Sequence, residues 1–169
     1  MKNNSSKTLF IGGIKSGKSR NAENFILTLT QEKPIYLATN EFFDDEMRIK
    51  VQQHKEQRAN NFITLEEPLQ LTNIIQKQNK PVLVECVSMW INNMLYHQFD
   101  EKAIIEEIEN LLQLDLPMVF VINDVSCSVV SEHKLVRQFV DINGKISQIL
   151  ASQCTAVYHN IAGISVQIK

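Results

Sequence analysis

The fold of this chain is decided by the stretch Gly12-Gly13-Ile14-Lys15-Ser16-Gly17-Lys18-Ser19. It has the pattern G-x-x-x-x-G-K-S/T, which is typical of a phosphate-binding loop when a strand precedes it and a helix follows it. The preceding residues 8–11 form a short apolar run that predicts a buried strand. The residues that follow place apolar side chains on one helical face, at Ala22, Phe25, Ile26 and Leu29. Both flanks therefore favour a phosphate site over a glycine turn that merely contains a lysine.

The residue types of this stretch suit a nucleoside triphosphate and Mg²⁺. Glycines allow backbone N–H groups to turn toward phosphate oxygens, and the N-terminus of the following helix adds partial positive charge. Lys18 is predicted to contact the β- and γ-phosphates, and the hydroxyl of Ser19 is predicted to ligate Mg²⁺.

Composition indicates one globular domain over residues 1–169. Apolar residues make up 44% of the chain and charged residues 21%, which is ordinary for such a domain. The net charge of −2 gives no electrostatic case for binding nucleic acid or an anionic membrane. No apolar stretch is long enough to span a membrane, and the polar N-terminus is not a signal peptide. Cys86, Cys127 and Cys154 lack the spacing of a zinc site or a disulfide framework, which favours buried thiols in a reducing cytoplasm.

Strand-like and helix-like segments alternate along the chain. Unalternated apolar runs, typical of strands covered on both faces, lie at residues 8–11, 34–38, 81–86, 118–122 and 155–158. Pro34, Pro81 and Pro117 stand at or just before three of these runs, where a preceding helix has ended. Gly163 separates two β-rich pieces between residues 157 and 168, which predicts a terminal hairpin.

Two helices are predicted from apolar side chains that recur every three or four residues. One contains Ile104, Ile105, Ile108, Leu111 and Leu112, with Asp100 as its N-cap, and the other contains Leu135, Phe139, Ile142, Ile146, Ile149 and Leu150. The sequence thus predicts an α/β domain of the P-loop NTPase (RecA-like) type. Its mainly parallel sheet is flanked by helices and has a C-terminal β-hairpin.

Ligands of open α/β sheets gather at the carboxyl ends of the strands. Besides the phosphate loop, this rule selects Thr39-Asn40-Glu41, Glu85 and Asn123-Asp124. An acid that follows an apolar strand commonly holds Mg²⁺ in enzymes with this loop, so Glu85 is a predicted metal ligand beside Ser19. Asp124 is a rival for that role, and an ion pair with a neighbouring base is the alternative for Glu85.

A further candidate segment runs from Asp44 to Arg58. His54 and Arg58 are one helical turn apart there, so they point the same way and suit an anionic ligand. The imidazole of His54 is a candidate nucleophile toward a nucleotide's α-phosphate. The alternative is a packed or surface histidine. His97, His133 and His159 lack such company. His97 is predicted to end a helix and His133 to begin one, so both are expected to be exposed to solvent.

Taken together, the motifs of this sequence resemble a known family, the bifunctional adenosylcobinamide kinase / adenosylcobinamide-phosphate guanylyltransferases of cobalamin biosynthesis. The resemblance spans essentially the whole chain in the right order. The matching pieces are Gly12-Gly13-x-x-Ser16-Gly17-Lys18-Ser19-Arg20, Tyr36-Leu37-Ala38-Thr39, Asp45-Glu46-Met47, His54-x-x-x-Arg58, Thr64-Leu65-Glu66-Glu67-Pro68, Leu83-Val84-Glu85-Cys86, Asn123-Asp124-Val125 and Leu135-x-Arg137-x-Phe139-x-Asp141-x-x-Gly144.

The resemblance implies two reactions on one nucleotide-handling domain. The first phosphorylates adenosylcobinamide with ATP or GTP, and the second transfers GMP from GTP to that phosphate through a guanylyl-histidine that maps onto His54. Mg²⁺ is the implied metal and a homotrimer the implied assembly. The implied nucleotide contacts are Gly12, Gly13, Ile14, Lys15, Ser16, Gly17, Lys18, Ser19, Thr39, Asn40, Glu41, Lys55, Glu56, Gln57, Arg58, Glu66 and Glu85.

Two alternatives stay open on the residues alone. One is a single-reaction P-loop kinase of a small molecule, in which His54 takes no part. The other is a nucleotide-dependent switch or ATPase subunit that acts by binding a partner. The sequence names no general base for the kinase step.

Overall fold

A seven-stranded sheet organises the part of the chain that the computed structural model describes, residues 6–41, 60–127 and 129–169. The elements in chain order are β1 (Lys7–Gly12), α1 (Lys18–Leu27), β2 (Ile35–Ala38), β3 (Ile63–Glu66), α2 (Leu71–Ile75), β4 (Val82–Glu85), α3 (Val87–Tyr96), α4 (Glu101–Leu112), β5 (Met118–Asn123), α5 (Lys134–Gln153), β6 (Ala156–Ile161) and β7 (Ile164–Gln167). The strand order is β3-β2-β4-β5-β1-β6-β7, and every neighbouring pair is parallel except β6 and β7. The predicted mainly parallel sheet and C-terminal hairpin are confirmed.

Three strands begin directly after prolines that were expected to stand where a preceding helix has ended. Pro34, Pro81 and Pro117 each stand one residue before a strand. The carbonyl of each proline accepts a hydrogen bond from the first backbone N–H of a neighbouring strand. The donors are Ile63 to Pro34, Ile35 to Pro81 and Val82 to Pro117. The proline before each strand therefore extends the ladder of backbone hydrogen bonds by one bond.

Alternate residues of the central strands pack into two separate layers. On one face, Phe10 of β1 and Leu83 of β4 pack with Ala22 and Ile26 of α1. On the other face, Leu9, Val84 and Phe120 pack with side chains of α2 to α5, including Trp90, Ile104 and Ile142. A strand that is covered on both faces reads as a continuous apolar run, which is why these strands are visible in the sequence.

The helices α1, α4 and α5 lie where the sequence predicts them, but two of their side chains are exposed instead of buried. Asp100 accepts a hydrogen bond from the Ala103 N–H at 2.8 Å and caps α4 as predicted. Leu29 was expected on the buried face of α1, but the helix ends at Leu27, so the side chain leaves that face. Leu135 was expected on the buried face of α5, but residues 132–138 are all exposed, and the fully buried positions of this helix begin at Ile142.

Strand β3 was not predicted from the sequence. It is the edge strand of the sheet beside β2, and its first and last residues are exposed while the two between them are only half-buried. It therefore lacks the apolar run that identifies the central strands. Among the helices of the described ranges, none combines the length and apolar character that a membrane span requires.

Candidate functional site

The phosphate loop joins β1 to α1 and turns through two left-handed residues. Lys15 has φ 63° and Gly17, the N-cap of α1, has φ 90°. The Ser16 N–H donates to the Gly13 carbonyl at 3.2 Å and closes the turn. The loop therefore leads directly into the N-terminus of α1, where unpaired backbone N–H groups favour a phosphate.

Two glycines of this loop are required by their neighbours in the hairpin β6–β7. A Cβ built on Gly12 would lie 2.5 Å from the Asn160 carbonyl oxygen, and one on Gly17 would lie 2.8 Å from the Cα of Gly163. The Gly163 N–H also donates to the Ser16 carbonyl at 2.8 Å. The hairpin turn thus presses on the phosphate loop and supports it from one side.

Lys18 is positioned across the mouth of the loop. Its side chain is buried, and its Nζ donates to the Gly13 carbonyl at 3.0 Å. An ammonium group has three donors, so this bond leaves further donors for phosphate oxygens. Lys18 contributes to an open cavity of 420 Å³ at the start of α1. The lining residues are Lys15, Ser16, Gly17, Lys18, Ser19, Arg20 and Gly163.

The two predicted metal ligands lie in contact. The Ser19 hydroxyl at the start of α1 donates to Oε1 of Glu85, the last residue of β4, at 2.8 Å. A hydroxyl and a carboxylate are the hard oxygen donors that Mg²⁺ prefers. Because Ser19 gives its proton to Glu85, its lone pairs remain available to a cation. The pair therefore fits Mg²⁺.

Asp124, the rival for the metal role, is engaged elsewhere. Its Oδ1 accepts from both the N–H and the hydroxyl of Ser126, at 2.9 and 2.6 Å. These bonds, and the more distant His159, hold the pKa of Asp124 below its usual range against a smaller effect of burial. The contact of Ser19 with Glu85 favours Glu85 as the metal ligand.

The ends of β2 and β3 carry the other predicted contacts. Thr39 is fully buried, and its hydroxyl donates to the Cys86 carbonyl at 2.8 Å and accepts from the Cys86 N–H at 3.0 Å. The side chain of Thr39 thus joins the ends of β2 and β4. Asn40 and Glu41 follow it half-buried, and Glu66 ends β3 in an exposed position.

The histidines differ from their predicted surroundings in two places. His97 follows the last residue of α3 and His133 is the N-cap of α5, and both are exposed as predicted. His97 also contacts the Glu41 carboxylate at 2.9 Å. His159, for which the sequence indicates no partner, lies with its Nε2 4.0 Å from Oδ2 of Asp124. That pairing joins β6 to β5 across β1, and no local sequence pattern reports it.

Several predicted site residues lie outside the described ranges. These are His54, the candidate nucleophile, and the nucleotide contacts Lys55, Glu56, Gln57 and Arg58. Within the described ranges, the structure brings Lys18, Ser19 and Glu85 together at one edge of the sheet. It adds Asn160 and Gly163, which the sequence had assigned only to a hairpin.

Residues 8–168 match the sequence profile of a family described as "Cobinamide kinase / cobinamide phosphate guanyltransferase". The match covers the phosphate loop, Glu85 and the hairpin in one alignment. The chain belongs to this family. The protein is therefore an enzyme, and the resemblance that the sequence motifs indicated is confirmed.

Curated relatives agree along nearly their whole length. The chain is 34% identical over 180 residues to the "Bifunctional adenosylcobalamin biosynthesis protein CobU" of Escherichia coli strain K12, covering 95% of this chain and 98% of that protein. The protein of the same name from Salmonella typhimurium strain LT2 matches to the same extent. The "Bifunctional adenosylcobalamin biosynthesis protein CobP" of Pseudomonas aeruginosa strain PAO1 is 32% identical over 173 residues, covering 96% of this chain and 97% of that protein.

Solved structures of more distant proteins share the fold. The flagellar accessory protein FlaH from Methanocaldococcus jannaschii superposes with a TM-score of 0.52 at 10% identity, covering 96% of this chain and 76% of that one. The KaiC-like protein PH0186 from Pyrococcus horikoshii superposes with a TM-score of 0.51 at 12% identity, covering 92% and 70%. At such identities the likeness shows the fold alone, which is P-loop NTPase-like and RecA-like.

Proposed function

We propose that this protein phosphorylates adenosylcobinamide with ATP or GTP and then transfers GMP from GTP to adenosylcobinamide phosphate, giving adenosylcobinamide-GDP. One observation carries the proposal: in a chain of this family, the Ser19 hydroxyl lies 2.8 Å from the Glu85 carboxylate beside Lys18 in the phosphate loop. That arrangement suits the transfer of a phosphoryl or nucleotidyl group from a nucleoside triphosphate.

In the kinase step, the loop positions the nucleotide and balances its charge. Backbone N–H groups of the loop and of the first turn of α1 bind phosphate oxygens, and the ammonium of Lys18 stabilises the charge on the β- and γ-phosphates. Mg²⁺, when held by Ser19 and Glu85, supplies further neutralisation of the triphosphate oxygens. Positioning and charge account for most of such a reaction, because the transferred group passes through a loose transition state.

In the guanylyl-transfer step, His54 is the proposed nucleophile. A ring nitrogen of His54 bonds to the α-phosphorus of GTP, and the bond from that phosphorus to the bridging oxygen breaks to release pyrophosphate. An oxygen of adenosylcobinamide phosphate then attacks the same phosphorus and frees the imidazole. Arg58 and the neighbouring Lys55, Glu56 and Gln57 are the proposed contacts near the α-phosphate and ribose. These roles rest on the sequence.

The remaining nucleotide contacts are proposed at the carboxyl ends of β2 and β3. Asn40 and Glu41 follow β2, and Glu66 ends β3, the next strand in the sheet. Both strands are parallel to β4, so these residues lie on the same edge as Glu85. Assembly into homotrimers belongs to the same proposal and rests on the resemblance.

Intact mass after incubation with Mg²⁺ and GTP tests the nucleotidyl step. We expect the wild-type protein to gain the mass of one GMP, in a bond that acid breaks, as phosphoramidates do. His54→Ala should gain nothing. His133→Ala is the matched control, because His133 is an exposed N-cap residue that makes no capping bond with its side chain, and it should behave as wild type.

Two other results would contradict the proposal. Absence of an adduct at saturating GTP, with phosphorylation of adenosylcobinamide intact, would remove His54 from the mechanism and favour a single-reaction kinase. Slow GTP or ATP hydrolysis that no corrinoid accelerates, without an adduct, would favour a nucleotide-dependent switch.

A further inference from the structure

The end of β5 carries a polar cluster that the roles assigned so far do not use. Asp124 holds Ser126 through Oδ1, while Oδ2 lies 4.0 Å from Nε2 of His159. The side chains of Asp124 and His159 are 29% and 37% exposed, so the cluster is open to solvent on one side. Among the described residues, no hydrogen bond is directed at Oδ2. That oxygen therefore remains available to accept a hydrogen bond from a ligand.

This cluster lies at the phosphate loop. Asn123 is in register with Gly12, the first residue of the loop stretch, and the Asp124 N–H donates to the Gly12 carbonyl at 2.9 Å. The order of the sheet places β5 between β1, which leads into the loop, and β4, which ends at Glu85. Asp124 thus directly follows β5, which lies between the strand that enters the phosphate loop and the strand that ends at Glu85. This is the end of the sheet where the triphosphate is proposed to bind.

A small cavity of 270 Å³ lies between Ser126 and the first turns of α5. Ser126 lines it, so it begins one hydrogen bond away from the Asp124 carboxylate. Its other walls combine apolar and polar side chains, including Val129, Val130, Val140, Ser131 and Arg137. Val129 and Val130 are 92% and 81% exposed, which leaves apolar surface uncovered at this point. The volume and the mixed lining suit a short aliphatic arm with a polar end, and not a macrocycle.

We infer that Asp124 is the catalytic base of the kinase step and that this cavity receives the aliphatic arm bearing the acceptor hydroxyl. The inference rests on the proposed function and names the acceptor side of that site. The acceptor O–H bond breaks and its proton passes to Oδ2 of Asp124. The oxygen then bonds to the γ-phosphorus. The bond from that phosphorus to the β–γ bridging oxygen breaks, and its electron pair leaves with the nucleoside diphosphate.

The cluster is suited to this role and not only to shaping its loop. An aspartate that served the turn alone would be satisfied by its two bonds with Ser126, which both fall on Oδ1. Oδ2 takes part in neither bond, so it can accept from a hydroxyl donor while Oδ1 holds the loop. Aspartate performs this task in other kinases, where it accepts the proton of the substrate hydroxyl.

The test compares the two reactions in one preparation. Phosphorylation of adenosylcobinamide by ATP is measured by steady-state kinetics, and transfer of GMP from GTP to supplied adenosylcobinamide phosphate is measured separately. Asp124→Asn keeps an oxygen that can accept from Ser126 but removes the base. We expect it to lower kcat of phosphorylation by about 100-fold or more, and to leave GMP transfer as in wild type. Asp115→Asn, an exposed position before β5, is the matched control and should change neither rate.

Each other outcome has a defined meaning. Equal kcat of phosphorylation in Asp124→Asn and wild type overturns the base while leaving the proposed function in place. Equal loss of both reactions, with a lowered Tm, assigns Asp124 a structural role and also overturns it. A wild-type protein that forms no phosphate ester overturns the kinase half of the proposed function and this inference with it.

A second variant tests the cavity separately. Val130→Lys places a charge where the aliphatic arm would lie, and the exposure of Val130 means that the fold tolerates it. We expect a raised KM for adenosylcobinamide and an unchanged KM for ATP. Leu135→Lys is the control, since Leu135 is exposed on the adjoining turn of α5 but does not line the cavity. An equal KM for adenosylcobinamide in the two variants would refute the cavity assignment.

Discussion

Replacement of Gly17 by alanine tests whether the hairpin supports the phosphate loop as the structure shows. Gly17 has φ 90°, and a Cβ at this position would lie 2.8 Å from the Cα of Gly163 and 3.4 Å from its nitrogen. Both atoms belong to the backbone of the hairpin turn, so no side-chain rotation can relieve the overlap. The loop or the hairpin must move as a unit.

The expected cost is the sum of two effects. A left-handed backbone costs a residue with a Cβ about 1–2 kcal/mol relative to glycine. Overpacking against a fixed neighbour adds about 1–3 kcal/mol. The free energy of unfolding should therefore fall by about 2–5 kcal/mol, and the Tm of a domain of this size by roughly 2–4 °C for each kcal/mol.

Thermal and urea unfolding without nucleotide provide the assay, so that lost binding does not contribute to the difference. Gly13→Ala is the matched control from the same loop. A Cβ on Gly13 would meet nothing within 4 Å, and Gly13 is not among the glycines with positive φ. Its free energy of unfolding should differ from wild type only by the small effect of an exposed alanine. Affinity for GTP, measured separately, should fall in Gly17→Ala because the donors of the loop and of α1 shift together.

The reasoning would be refuted if Gly17→Ala and Gly13→Ala unfolded at the same urea concentration. Such a result would mean that the hairpin does not approach the loop in solution. Lost GTP affinity with unchanged stability would also contradict it, because the contact with Gly163 would then impose no strain on the folded protein.

Two further predictions concern buried groups elsewhere. Asn143 accepts from the Ser88 hydroxyl at 2.7 Å and donates to the Asn123 carbonyl at 2.9 Å. Asn143→Leu should lower the free energy of unfolding by about 2–6 kcal/mol, because it leaves both partners unpaired and each such group costs about 1–3 kcal/mol. Urea unfolding beside the exposed control Asn92→Leu checks this, and equal stability of the two variants would contradict it. Cys127 is exposed, contrary to the expectation that the thiols are buried, because it lies in the loop after β5. Iodoacetamide at mildly alkaline pH should therefore label Cys127 well before Cys86 and Cys154, since burial raises the pKa of both of these thiols to about 12. Peptide mass spectrometry of the native protein gives the order, and early labelling of Cys86 would contradict the prediction.

The central part of the fold was predictable because each of its elements satisfies its own local rule. Strands β1, β2, β4 and β5 are covered on both faces and appear as apolar runs, and Asp100 caps α4 through a side chain three residues from its partner. Edge strand β3 was missed because half of its surface faces solvent, so its sequence carries no comparable run. The exposure of Leu135 was missed because the spacing of apolar residues does not show where along a helix burial begins.

In the candidate site, too, the residues that follow a local pattern were predictable and the contacts between distant parts of the chain were not. Lys18, Ser19 and Glu85 were predictable, since one motif and the strand-end rule place them at one edge. The contacts of Gly17 with Gly163 and of Asp124 with His159 were not, because each joins residues that are far apart in sequence and depends on which strands flank β1. Strand order in a sheet is a global property that no local pattern contains.

The strand order also bears on how one loop serves two reactions. β1 lies between β5 and β6, so the loop is held through Gly12 by the Asp124 N–H on one side and by the hairpin on the other. In the proposed function the phosphorus under attack is the γ-phosphorus in one step and the α-phosphorus in the other, two phosphates apart on the nucleotide. A loop braced on both sides does not follow that change by moving. Different groups must then meet the acceptor in each step, which is the division that the proposed roles of Asp124 and His54 express. It requires that Asp124→Asn and His54→Ala fail at different steps.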